Sequence, residues 1–226
     1  AWNDMPLRRP MDFTHGLPGN RNAMRQTPNG DIEITNRRHW FVRPRSPRDT
    51  ERKDWSHEFL AIRLDFPDDA QRGGRELLDG RLPLLRTWWT QGALFYEQRT
   101  ILDAIQGGSP GRVELDDPSV LLMQIRVLNT SDSAEATARL RFSTNEPDET
   151  LIIEGRRGYG QKSDQRRLRF VVRTGDTGEL TRDGNGTRWT QPLRPGESHT
   201  LLIAIPSITL TRDDEIDALG TRDFES

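Results

Sequence analysis

Apolar and polar residues alternate most clearly between positions 77 and 129, and this stretch predicts three consecutive strands. We place these strands at 82–89, 93–105 and 120–129, with turns at Asp79-Gly80 and at 90–92 and a polar loop at 107–117. A side-chain period of two is typical of strands that bury one face. Three such strands in succession form an antiparallel meander, the unit from which β-sandwiches are built.

The same alternation recurs in both directions along the chain. Further strands are predicted at 31–35, 59–66, 134–144, 150–153, 168–173 and 198–206, with an extension over 207–211. The residues assigned to core faces are Leu60, Ile62, Leu64, Phe66, Ala136, Ala138, Leu140, Phe142, and, sharing one face, Leu168, Phe170 and Val172. Roughly nine or ten strands without a βαβ alternation predict an all-β fold, an antiparallel β-sandwich.

Other segments lack this period. Residues 1–29 are expected to form a surface arm with one short strand near 11–13, and residues 36–58 a long irregular loop. Residues 68–78 are expected to be a short helical turn or a loop, 155–164 a glycine-rich loop and 175–186 a turn. Residues 212–226 are acidic, and Ile216, Leu219 and Phe224 form a weak apolar stripe. They predict a short helix for which the sequence indicates no packing partner.

Composition excludes several classes of function. The chain of 226 residues has a net charge of −2, which argues against general binding of nucleic acid or anionic membranes. It contains no cysteine, so disulfides, thiolate metal sites and cysteine nucleophiles are excluded. Its four histidines lie far apart without metal-ligand spacing, and no membrane-spanning run or signal-peptide pattern occurs. We therefore expect no cofactor and no metal.

Four segments of the chain resemble a known family. They read LLDGRLPLLRTWW, ALFYEQRTILDAI, PSVLLMQIRVLNTSDSAEATARLRF and LRPGESHTLLIAIP. Together they are similar to the N-terminal β-supersandwich of large bacterial glycoside hydrolases, which precedes an (α/α)6 helical-barrel catalytic domain. The likeness covers residues 77–226. Its most specific parts are D-G-x-L-P at Asp79 to Pro83, the strand with Tyr96-Glu97, and L-x-N-T-x-D at Leu128 to Asp132.

The resemblance carries its own expectations about fold and partners. It implies a galactose-mutarotase-like supersandwich over 1–211 and a linker over 212–226 that leads into a helical domain. That family holds its general acid and base in the helical barrel, so no catalytic residue is carried over to this chain. The implied partners are an (α/α)6 domain of the same parent protein and an oligo- or polysaccharide. The compartment stays open between the bacterial cytoplasm and a secreted or periplasmic location.

Six residues are candidates for contact with a carbohydrate or a neighbouring domain: Trp88, Trp89, Tyr96, Glu97, Trp40 and Trp55. Trp88 and Trp89 are adjacent on a strand, so one is expected in the core and the other at a sugar platform or interface. Glu97 is either an acid or sugar acceptor, or an exposed strand residue paired with Arg99 or with an arginine of a neighbouring strand.

The long loop 36–58 supplies the remaining two candidates. Trp40 and Trp55 lie among six arginines there, a combination that suits a polar ligand such as a sugar or a base. The alternative is that both tryptophans pin the loop onto the sandwich while the arginines stay in water. Three functions therefore remain open: a non-catalytic domain of a carbohydrate-active enzyme, a stand-alone carbohydrate-binding module, and a sugar isomerase or hydrolase in its own right.

Overall fold

The structure is a computed structural model that describes residues 12–17, 20, 23–35, 59–78, 84–105, 118–146, 148–163, 165–172, 178–208, 210 and 212–220. Several of the sequence-based expectations lie outside these residues. They concern the loop 36–58 with Trp40 and Trp55, the Asp79-Gly80 turn, the loop 107–117 and Phe224.

Two antiparallel sheets account for most of the described chain. The strands are β1 Phe13–Gly16, β2 Ala23–Gln26, β3 Ile32–Thr35, β4 Phe59–Asp65, β5 Gln71–Leu77, β6 Leu85–Gln91, β7 Leu94–Ala104, β8 Ser119–Asn129, β9 Ala136–Thr144, β10 Thr150–Glu154, β11 Arg157–Lys162, β12 Gln165–Val172, β13 Glu179–Asp183, β14 Gly186–Leu193 and β15 Ser198–Pro206. One helix follows, α1 Asp213–Gly220. The strand orders are β1-β2-β3-β4-β9-β14-β13 and β10-β11-β12-β15-β8-β7-β6-β5. The predicted all-β antiparallel sandwich with a short C-terminal helix is confirmed.

The main core lies between the inner faces of the two sheets. Ile62 and Phe142 of the seven-stranded sheet belong to the same buried cluster as Ile125 and Ile203 of the eight-stranded sheet. The predicted inward residues Ile62, Leu64, Ala138, Leu140 and Phe142 are therefore in the core, with Phe66 and Ala136 partly buried at its margin. Leu60, also predicted to face inward, is only partly buried and lies outside this cluster. Fully burying an aliphatic or aromatic side chain contributes roughly 1.5–3 kcal/mol, so this layer dominates the stability of the fold.

A second core forms on the outer face of the eight-stranded sheet. Val120 and Leu122 alternate along β8 with residues of the main core, and they pack with Ala204 of β15. Ile216 and Leu219 of α1 cover them, with 5% and 0% exposed surface. The expectation that this helix has no packing partner is wrong. The sheet supplies the apolar surface that a helix of two turns needs.

More strands exist than the sequence predicted, namely fifteen in the described residues. β5, β11 and β13 occupy segments expected to be loops or turns, and β1 and β2 belong to the expected surface arm. β14 lies almost wholly in a segment for which the sequence predicted no element. The segment 207–211, expected to extend β15, is not strand in its described residues. β1, β5 and β13 are sheet edges, where strands are polar and lack clear alternation. Their pairing with neighbouring strands, rather than their own pattern, makes them strands.

A β-bulge in β12 makes the prediction that Leu168, Phe170 and Val172 share one face wrong. The pairing of β11 with β12 shifts register between Gly158 and Tyr159, which leaves Arg169 without a partner of its own. Phe170 and Val172 face the main core, whereas Leu168 belongs to the cluster under α1. An extra residue reverses the alternation of a strand, so Leu168 cannot share a face with Phe170.

Candidate functional site

The adjacent tryptophans of β6 point to opposite faces of the eight-stranded sheet, as predicted. Trp89 is the core member: it is 4% exposed, and Phe66 stacks on it with ring centroids 4.0 Å apart. Trp88 is half-buried on the outer face. Its ring lies across Gly73 and Gly74, where an added Cβ would be 2.3 Å and 2.5 Å from the indole. Only glycine in β5 permits this close approach of ring and backbone.

Glu97 of β7 lies beside Trp88 on the same outer face. Its side chain is 5% exposed, and each carboxylate oxygen meets an arginine. Arg86 Nε is 2.5 Å from Oε2, and Arg99 Nε is 2.6 Å from Oε1. The predicted pairing with Arg99 and with an arginine of a neighbouring strand is confirmed, but the carboxylate is buried rather than exposed. Glu97 makes ion pairs through both oxygens and so holds the arginines in place, although the contact of Oε1 with Arg99 Nε lacks hydrogen-bond geometry.

We call Trp88, Glu97, Arg126, Arg86 and Arg99 the outer-face row. Trp88 of β6, Glu97 of β7 and Arg126 of β8 are directly opposite one another in the strand register. The guanidinium carbon of Arg86 lies 5.1 Å from the centre of the Trp88 ring, within the range of a cation–π contact. The row thus combines an aromatic surface with guanidinium groups.

The arginines of this row differ in how far they are neutralised. Arg86 also donates from Nη1 to Glu76 Oε1 at 2.8 Å, and hydrogen bonds to Glu76 and then to Glu97 raise the pKa of its guanidinium. Arg99 contacts Glu97 only through Nε, and within the described chain its terminal amino groups have no partner. Arg126 is exposed and has no ion-pair partner among the described residues. Guanidinium forks of this kind suit a planar carboxylate or a pair of hydroxyl groups.

Tyr96, the neighbour of Glu97, lies on the inner face and has no exposed surface. Its hydroxyl donates to Gln91 Oε1 at 3.2 Å and accepts from the Arg139 backbone N–H at 3.3 Å. Burial raises the pKa of Tyr96, since the phenolate is poorly solvated there. Of the six candidate residues, the structure therefore brings Trp88 and Glu97 together outside and places Trp89 and Tyr96 inside.

A buried polar layer between the sheets is absent from the sequence-based candidates. His15 and Gln26 of the N-terminal hairpin reach Thr100 and Gln98 of β7 across the sandwich. Gln26 donates from Nε2 to Gln98 Oε1 at 2.8 Å, and Thr100 Oγ1 donates to Gln26 Oε1 at 2.5 Å. The hydrogen-bonded residues are 72 to 85 positions apart in the sequence, so no local sequence pattern predicts their contact.

The charge state of His15 follows from this setting. It is 1% exposed, and its Nε2 lies 3.3 Å from Gln26 Oε1 and 3.2 Å from Thr100 Oγ1. Burial lowers its pKa to about 4, opposed by Gln26 and aided by the positive charge of Arg75. Nδ1 is buried with no hydrogen-bond partner in the described structure, so a proton added there has no acceptor. The histidine is neutral and structural.

Arg75 of β5 lies at the margin of the polar layer. Its Nη2 donates to the carbonyl oxygens of Gln26 at 3.0 Å and Thr27 at 2.9 Å. Burial lowers its pKa to about 10. These bonds fasten the N-terminal hairpin to the eight-stranded sheet.

A second buried ion pair joins Glu149 to Arg169 at the bulge of β12. Their side chains are 4% and 9% exposed, and Thr144 Oγ1 donates to Glu149 Oε2 at 2.7 Å. An added Cβ at Gly160 would lie 2.3 Å from the Glu149 carboxyl carbon, so the pair fills the space beside β11. Both oxygens of Glu149 are occupied, and the pair is structural.

Three wider findings bear on the kind of site this chain offers. No three metal-ligating side chains converge within the residues that the structure describes. No helix in that part of the chain is long and apolar enough to cross a membrane. No protein-family model matches the chain, and no curated protein does either.

Proposed function

We propose that the chain is a non-catalytic β-sandwich domain of a multidomain carbohydrate-active enzyme of the glycoside hydrolase type. In this proposal the sandwich packs on an (α/α)6 catalytic domain and helps to shape its sugar cleft. The observation that carries the proposal is the two-sheet sandwich followed by a helix seated on its larger sheet, in a chain whose strands bear the resembling motifs.

One of the three most specific of those motifs has a clear structural purpose, which supports the proposal. In the turn at Leu128 to Asp132, Asn129 has no exposed surface, and its Nδ2 donates to the carbonyl oxygens of Ala134 at 2.8 Å and Leu193 at 3.0 Å. Thr130 Oγ1 donates to Ala93 O at 2.8 Å. These bonds tie the turn to the end of β14 in one sheet and to the β6–β7 turn of the other, so the motif serves the fold rather than a reaction.

The buried carboxylates also favour a supporting role. Hydrolysis of a glycosidic bond requires two carboxyl groups that face each other across the sugar, roughly 5–9.5 Å apart. Glu97 and Glu149 are both buried, and each is engaged by arginine. They lie on opposite sides of the eight-stranded sheet, because Glu97 is on its outer face, whereas Glu149 accepts a hydrogen bond from Thr144 of the other sheet. The chemistry is therefore assigned to the partner domain.

Hydrolysis assays on two proteins test this proposal. The first is the whole product of the gene that encodes this chain, and the second is the 226-residue chain alone. We expect release of reducing sugar from an oligosaccharide panel by the whole product only. Glu97→Gln in the whole product is expected to retain the chemical step, because the residue is structural. Hydrolysis by the isolated chain that Glu97→Gln abolishes would refute the proposal.

A second function, that of a carbohydrate-binding module, is favoured by one specific observation. The ring of Trp88 packs against two glycines of β5, is half-buried, and has the Arg86 guanidinium over it. An indole face with neighbouring hydrogen-bond donors suits a pyranose ring. Calorimetric titration of the chain with oligosaccharides tests this function, and the absence of binding to every sugar would exclude it.

A further inference from the structure

The outer face of the eight-stranded sheet is covered by α1 at one end only. We propose that the rest of this face docks on the partner domain, and that it receives an amphipathic helix with acidic residues beside its apolar stripe. This inference rests on the proposed function and adds to it the contact surface and the kind of element that meets it.

Burial along β8 shows where the cover of α1 ends. Val120 and Leu122, which belong to the cluster under the helix, are 0% and 4% exposed. Further along the same face Gln124 and Leu128 are only partly buried, and Arg126 is exposed. The outward side chains of β8 therefore lie beyond the helix after Leu122.

The part of the face beyond α1 carries large apolar side chains. Phe95 of β7 and Leu128 of β8 are direct strand partners there, and Leu202 of β15 continues the face from Ala204, which lies under α1. Phe95, Leu128 and Leu202 are all only partly buried. We call the uncovered patch the set formed by Phe95, Leu128, Leu202, Arg99 and Arg126.

The outer face of the seven-stranded sheet provides a comparison. Leu140 of β9 and Trp189 of β14 lie in the main core, so the alternate residues of these strands point outward. The outward residues are Thr137, Arg139, Arg141 and Ser143 on β9 and Arg188, Thr190 and Pro192 on β14. None of them is a large apolar residue, whereas the uncovered patch contains three. Large apolar side chains that stay partly exposed on one face are typical of an interaction surface.

The contacts of α1 show which kind of element this sheet accepts. Ile216 and Leu219, three positions apart, enter the apolar cluster of the sheet. Asp213 and Asp217, four positions apart, pair with Arg157 of β11 at 2.7 Å and 3.0 Å. The helix thus combines an apolar stripe with acidic residues that meet a guanidinium of the sheet.

The uncovered patch offers the same chemistry to a second helix. Arg126 and the terminal amino groups of Arg99 have no partner within the described chain. Because Arg99 is the strand partner of Gln124, Arg99 and Arg126 are diagonal neighbours, about 7–8 Å apart. Helix residues four positions apart are separated by about 6 Å along the axis. Two acidic residues at that spacing match the two guanidinium groups, and charge complementarity of this kind selects the partner.

Cysteine labelling tests which face meets the partner domain. The chain contains no cysteine, so an introduced thiol is the only one in its 226 residues. Thr200→Cys places the thiol on the direct strand partner of Arg126. Thr190→Cys is the matched control, because Thr190 is also a partly buried, outward threonine but lies on β14 of the other sheet. Each variant is treated with a maleimide as the isolated chain and as the whole gene product, and the labelled peptide is identified by its mass.

The rates of labelling carry the result. We expect Thr200→Cys to be labelled at least about tenfold more slowly in the whole gene product than in the isolated chain, because the core of an interface excludes solvent. Thr190→Cys is expected to be labelled equally fast in both. Arg126→Glu, added to Thr200→Cys in the whole gene product, should restore labelling because it repels an acidic helix, whereas Arg126→Lys should keep the protection. Thermal unfolding verifies that each variant is folded.

Four results would overturn the inference. They are equal labelling of Thr200→Cys in the two proteins, equal protection of Thr190→Cys, equal effects of Arg126→Glu and Arg126→Lys, and protection of Thr200→Cys in the isolated chain that grows with its concentration. The last would show that a second copy of the chain covers the patch. Hydrolysis is measured on the same preparations. Hydrolysis by the whole gene product without the expected protection would refute this surface alone, whereas its failure to hydrolyse any sugar would count against the proposed function.

Discussion

Acidification tests the buried polar layer, because His15 must remain neutral within it. The histidine has an ordinary pKa of 6.5 in the unfolded chain and a pKa of about 4 in the folded protein, chiefly through burial. At a pH between these two values, His15 is protonated in the unfolded state and neutral in the native state. The contribution of His15 to stability is therefore fully present above pH 6.5 and is lost as the pH falls towards 4.

The magnitude follows from the difference between the two pKa values. Each pKa unit corresponds to 1.36 kcal/mol, so the shift from 6.5 to about 4 is worth about 3 kcal/mol. His15 is only 1% exposed, so solvent screening reduces this figure little. Stability of a single domain is typically 5–15 kcal/mol, so the loss is a substantial fraction of the whole.

Urea unfolding at pH 7, 6, 5 and 4 measures the effect in the native chain and in His15→Gln. A glutamine amide does not titrate in this range, while all other ionisable groups are shared by both proteins. We expect the native chain to lose about 3 kcal/mol more than the variant between pH 7 and pH 4. Equal losses in the two proteins would refute the reasoning, because His15 would then titrate alike in the folded and unfolded states.

Two further predictions concern stability, both measured by urea unfolding at pH 7. Leu219→Ala should cost about 2–4 kcal/mol because Leu219 of α1 has no exposed surface, whereas Arg157→Gln should cost at most about 1 kcal/mol because its partners Asp213 and Asp217 are 81% and 74% exposed. The reverse order would show that ion pairs rather than apolar packing hold the helix. Glu149→Gln should cost about 3 kcal/mol or more, since it leaves the buried arginine of β12 uncompensated, and an unchanged midpoint would contradict this.

The strands that the sequence predicted best are those with apolar residues on a buried face. Ser198–Pro206 was predicted as a strand, because its inner face meets the main core and Ala204 on its outer face lies under α1, although its predicted extension over 207–211 was wrong. The pattern of Trp88 and Trp89 likewise predicted opposite faces. It did not predict which ring is inside, since Phe66 and Gly73 decide that, and both lie outside β6.

The missed elements share a physical reason. β5 reads QRGGREL and β13 reads ELTRD, and neither has an apolar face that a sequence pattern could detect. Both are edge strands, which are held in the sheet by hydrogen bonds to a single neighbouring strand. The polar layer around His15 was missed because its members are polar residue types whose burial depends on partners in the other sheet. The same holds for Glu97, whose pairing was predictable from its neighbours but whose burial was not.

The central claim is that this sandwich supports a catalytic domain encoded beside it. The most direct measurement is the sequence of the encoding gene beyond the codon for Ser226. We predict a continuous reading frame for a helical domain with two carboxylates placed for glycoside hydrolysis. A stop codon at that point, or a following region without helical periodicity, would contradict the account.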